Sequence, residues 1–174
     1  VIDFTSYSDL PLRIKLDGEQ LELKVRKLGL DLAIELDSIE KKENRLNEES
    51  LNIIAKVREE EPNFLSKQIY NGVEFELVDS RSKFFPKFDE TNRSKLLLAK
   101  DTILTICPDL KNHSNIFNED SAKINYLKNY LMLLAQGKDP ESRIEENSDE
   151  KKTENSKTVN DSFEPNSLFE NTAN

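Results

Sequence analysis

Hydrophobic patterning stops at Gly137, and that limit governs what the chain can fold into. Most of 138–174 is Glu, Asn, Ser, Lys and Thr, with Phe163, Leu168 and Phe169 the only large apolar residues late in it. Such a segment buries too little apolar surface to offset the entropy of ordering it, so a disordered acidic tail is predicted over 138–174. The tail holds ten Asp/Glu against five Lys/Arg, a net −5 of the chain's −9. The folded part, 1–137, is therefore much less acidic than the whole and is long enough for one domain with a real core.

Within 1–137 the patterning predicts an α+β domain. An N-terminal β-hairpin, with a second strand pair near 70–78, packs on a mainly helical body of about four helices. Leu12-Arg13-Ile14-Lys15-Leu16 and Leu21-Glu22-Leu23-Lys24-Val25 alternate strictly between apolar and charged residues, the mark of strands with one buried face. A turn centred on Asp17-Gly18 would set Leu16 opposite Glu19. One centred on Gly18-Glu19 pairs Leu16 with Leu21 and Leu12 with Val25, and is preferred because all six apolar residues then share a face.

Leu28, Leu32, Leu36 and Ile39 recur at helical spacing up to Leu46. Asn47 reads as the N-cap of a second helix to about Glu60, with Leu51, Ile54, Ala55 and Arg58 on one side. Asn71-Gly72 marks another turn before the alternating Val73-Glu74-Phe75-Glu76-Leu77. Its likeness to the first hairpin is what any return strand shows, and no duplication is inferred from it. After an aromatic loop at Phe84-Phe85-Pro86-Lys87-Phe88, a third helix runs from about Thr91 to Cys107, with Leu97, Lys100, Ile103 or Leu104 and Cys107 along one side. A fourth follows an Asn118 N-cap with an Ile124, Leu127, Leu131, Leu134 stripe and Gly137 at C′.

Little here points to catalysis. The lone His113 reads as an exposed loop residue and Cys107 as a small core residue, and one of each cannot assemble a usual zinc site. Four glycines and no phosphate-cradling loop argue against nucleotide chemistry. Paired carboxylates are too common for any pair to stand out. The reading is no enzyme, no cofactor and no metal. The acidic balance and the short, carboxylate-flanked basic clusters argue against nucleic acid. No apolar run is long enough for a bilayer and the first residues do not resemble a signal peptide, so the expectation is a cytoplasmic protein with no membrane partner.

Protein binding remains. The aromatic segment Phe84, Phe85 and Phe88 either plugs the core or forms an exposed contact. Tyr126, Tyr130 and Leu133 on the last helix are either core or a helix–helix interface. Phe163, Leu168 and Phe169 would make a short docking peptide.

The stretch Leu12 to Ile39, a charged hairpin with an Asp-Gly turn and a Leu-Glu-Leu return strand leading straight into a Leu-rich amphipathic helix, resembles the tail assembly chaperones of long-tailed bacteriophages. The second strand pair departs from that family's all-helical body. The resemblance implies a non-catalytic assembly factor in a bacterial host cell that oligomerises and binds tape-measure and tail-tube proteins, the latter through a flexible C-terminal extension. The alternative is a small structural subunit, a virion or tail-completion protein, in a homo-oligomeric ring joined through hairpin edges.

Overall fold

Two residues with positive φ, Asp17 at +50° and Gly18 at +86°, make the first turn. That is the signature of a two-residue type I′ loop, whose twist matches the strands it joins. It joins β1 (Leu12–Leu16) to β2 (Glu19–Leu23) with Leu16 opposite Glu19, Ile14 opposite Leu21 and Leu12 opposite Leu23. The preferred register is thus corrected to the other one. A two-residue shift leaves every side chain on its original face, so the cost is only the Leu16–Leu21 pairing. In return Val25 leaves the ladder and is fully buried in the core. Just beyond β2, Tyr7 and Arg26 form an antiparallel bridge, which places Ser6–Ser8 beside residues 25–27.

The computed structural model describes residues 1–2, 6–70 and 72–142. The predicted tail lies outside these residues from 143 onward. Val1–Lys138 is one compact unit and a second begins at Asp139, where the Ser142 hydroxyl donates to the Asp139 carbonyl at 2.8 Å.

After β2 come α1 (Leu30–Glu60), β3 (Leu65–Tyr70), β4 (Val73–Val78), α2 (Phe85–Ile106) and α3 (Ser121–Ala135), with short 3-10 turns at Pro62–Phe64, Pro108–Asn112 and Ser114–Asn118. The expected α+β class is the observed one, and the second strand pair is an antiparallel hairpin with Leu65 opposite Val78 and Gln68 opposite Phe75.

The break expected at Asn47 is absent: α1 runs unbroken for 31 residues, about 46 Å. No Gly or Pro interrupts it, and an interior Asn costs only a few tenths of a kcal/mol against helix formers such as the flanking Arg45-Leu46 and Glu48-Glu49. Replacing the exposed Asn47 with alanine is therefore expected to stabilise the protein by about 0.5 kcal/mol in urea unfolding. Loss of an N-cap would instead cost about 1 kcal/mol, so the sign of the change decides whether the helix is continuous.

The aromatic segment is not a loop. Phe85 opens α2 and Pro86 sits in its first turn, where its missing N–H is no loss. Asp120, not Asn118, caps α3, accepting from the Lys123 N–H at 2.9 Å. Gly137 follows α3 at φ +71°, the left-handed conformation expected of a C′ glycine.

Two buried clusters lie along α1. The first gathers Leu12 and Val25 of the hairpin region, Leu32 of α1, Ile103 and Ile106 of α2, and Ile124, Leu131 and Leu134 of α3. The second joins Ile53, Ile54 and Val57 to Val78 and Phe88. Because α2 starts in the second cluster and ends in the first, it runs antiparallel to α1. Backbone hydrogen bonds fasten the hairpin end of the domain: Arg26 donates to the Ile106 carbonyl at 2.9 Å and Leu28 to that of Ala135 at 2.8 Å. A part-buried ion pair, Lys128 with Glu43 at 2.9 Å, ties α3 to the middle of α1.

Candidate functional site

The helical stripes read from the sequence are off by a position or more in two helices, and that difference locates the site. In α1 the buried row is Ser50, Ile53, Ile54 and Val57, which leaves Leu51 at 65% exposure. In α2 the buried row is Leu98, Ala99, Thr102, Ile103 and Ile106, which leaves Leu97 outside. Thr102 fits the buried row because its hydroxyl donates back to the Leu98 carbonyl at 3.0 Å.

Leu51 forms one wall of a cleft of about 820 Å³ between α1, the β3–β4 hairpin, α2 and the start of α3. Phe75 and Leu77, alternate residues of β4, share one face of the hairpin and line the opposite wall, 48% and 40% exposed. Glu74 and Glu76, on the other hairpin face, also line the cleft. The floor is Ser50, Ile54 and Phe88. A group of exposed bulky apolar residues around a concavity marks a contact surface more often than scattered ones do.

The polar groups of the cleft are unevenly satisfied. Glu74 is paired with Lys67 at 2.8 Å and Glu76 with Arg58 at 2.6 Å. Lys95 of α2 is half-buried and has no ion-pair partner among the described residues. Burial pushes its ammonium below the usual lysine range, while Glu43 acts in the opposite direction. The Ser50 hydroxyl, on a residue only 6% exposed, has no hydrogen-bond partner among the described residues. Buried hydroxyls are nearly always paired, so this one stands out.

The structure brings one candidate contact residue to this cleft, Phe88, as a buried part of its floor. Phe84 and Phe85 are half-buried against the second cluster, and the Lys83 ammonium lies 5.0 Å from the Phe84 ring centre. Tyr126, Tyr130 and Leu133 sit on α3. Tyr126 is exposed, Tyr130 is half-buried against the first cluster, and their rings are 6.1 Å apart. Phe163, Leu168 and Phe169 lie outside the described residues. Apart from Phe88, the cleft's residues were missed as a site in the sequence. The available signal was Phe75 and Leu77 in a hairpin with a second polar-faced side, together with a Leu51 that the true α1 stripe excludes.

Among the described residues no three His, Cys, Asp or Glu side chains converge as metal ligands, and no helix is long and apolar enough to cross a membrane. His113 joins two 3-10 turns and is half-buried rather than exposed. Cys107 is fully buried in the first cluster, its thiol donating to the Lys24 carbonyl at 3.3 Å, and burial pushes its pKa up to about 11. That shift alone cuts its thiolate fraction roughly a hundredfold at neutral pH. An aromatic disulfide reagent is expected to label Cys107 only as the chain unfolds in denaturant; fast labelling of the native protein would contradict the packing.

No family model, curated protein or solved structure matches the chain.

Proposed function

We propose that the protein is a non-catalytic, protein-binding assembly factor. The observation that carries this reading is the cleft walled by exposed Leu51, Phe75 and Leu77 above a buried hydroxyl with no partner among the described residues. Bulky apolar side chains grouped around a solvent-facing concavity mark a surface that a partner covers.

In its specific form, the partners are a tape-measure and a tail-tube protein, met in the cytoplasm of a bacterial host by an oligomer of this chain. Support for that form is the N-terminal hairpin feeding straight into a long amphipathic helix; the β3–β4 hairpin departs from it. Tyr126 on α3 offers a second exposed contact.

Affinity capture of the full chain from its native cells, followed by gel filtration, tests the reading. A partner co-eluting at a fixed ratio is the expected result. A chain that elutes alone at its monomer mass would refute it. Large homo-oligomers without a second protein would favour the structural-ring alternative, for which each strand's single pairing partner supplies open edges.

A further inference from the structure

We infer that the cleft takes a segment of a partner protein that combines bulky apolar side chains with a carboxylate, the apolar groups seating on Leu51, Phe75 and Leu77 and the carboxylate meeting the Lys95 ammonium. This rests on the protein-binding reading and adds to it the chemistry of the partner.

Charge complementarity is the first support. Three ionisable side chains line the cleft. Glu74 and Glu76 are already committed to Lys67 and Arg58, which leaves Lys95 as the lining charge without a partner among the described residues. Glu43, whose charge Lys95 senses, is itself held by Lys128. A purely apolar occupant would bury that ammonium further with nothing to balance it, which is costly. A small anion would balance it and leave the walls bare. Only a ligand with both features answers both needs.

Ser50 is the second support, and it is independent of the first. The residue is 6% exposed and lines the cleft floor, and its hydroxyl oxygen, closed to solvent, has no partner among the described residues. A hydroxyl can donate to a carboxylate or a peptide carbonyl, so a polypeptide guest that parts the floor side chains over it supplies the missing partner. The walls are the third. Each of the three apolar residues is at least 40% exposed. They form an open surface, suited to a polypeptide segment rather than to an enclosed small molecule.

The test pans the immobilised full chain against a displayed library of random short linear peptides. Enriched peptides are expected to place Asp or Glu within a few residues of Leu, Ile or Phe. For one such peptide made synthetically, Lys95→Met in the protein and carboxylate-to-amide in the peptide should each weaken binding about tenfold. Combined, the two should weaken it no more than either alone, because they remove the same contact. Phe75→Ser, on an exposed site, should also weaken binding, with an unchanged urea midpoint as the check on folding.

The inference is overturned if no peptide is enriched, if enriched peptides show no acidic preference, or if the amide swap costs as much in the Lys95→Met protein as in wild type. It is also overturned if Phe75→Ser merely converts a dimer to a monomer, since the cleft would then be filled by a second copy. A cellular partner that binds the Lys95→Met and Phe75→Ser proteins as well as wild type would sink the cleft but keep the protein-binding reading.

Discussion

Replacing Phe88 with alanine is expected to cost about 3–5 kcal/mol, a large share of the roughly 5–15 kcal/mol typical of a domain. Phe88 is 6% exposed and packs with Ile53, Ile54, Val57 and Val78, so its ring fills the space between α1, β4 and the start of α2. The loss should also be local. Hydrogen exchange of the β3–β4 amides is expected to accelerate far more than that of β1–β2, whose support is the other cluster. Equal acceleration in both hairpins would mean that the two clusters open as one unit.

Leu131→Ala is expected to cost about 2–5 kcal/mol, read as a lower urea midpoint with an unchanged slope. Leu131 is fully buried where α3 meets α2 and the hairpin end of the domain. Its neighbour Leu133 is only half-buried, and Leu133→Ala should cost less than half as much. A Leu131→Ala cost below about 1 kcal/mol would show that α3 is not packed as described.

Legibility in the sequence followed how each element is stabilised. Strict alternation made β1, β2 and β4 readable, since one buried face leaves a period-two pattern. The strand β3, Leu-Ser-Lys-Gln-Ile-Tyr, lacks that pattern and is held by its partner β4. In α3 the apolar letters coincide with the buried row, so Ile124, Leu131 and Leu134 were identified correctly. In α1 and α2 the buried rows contain Ser50, Thr91 and Thr102, which apolar periodicity passes over. The first turn failed for a different reason. Maximising apolar pairs outweighed the preference of Asp-Gly for two positive φ values, although a two-residue shift costs so little that turn geometry decides.

The cleft was harder still. It depends on where a hairpin lies against a helix face, and neither fact is local in sequence. The aromatic segment drew attention through its composition, yet Phe88 belongs to the core and Phe84 and Phe85 lean on it.

The two clusters also differ in how far apart along the chain their members lie, and this bears on the order of folding. The second draws on residues 53–88, a short span whose loops close cheaply. The first cannot form until Leu12 and Val25 meet Leu131 and Leu134, more than a hundred residues later. Low contact order favours early formation, so β3–β4 should become protected first in a pulse-labelled refolding experiment. On the ribosome the order is forced, because synthesis runs from the N-terminus. The β1–β2 hairpin emerges first and then waits, its apolar face incompletely covered, until α2 and finally α3 arrive.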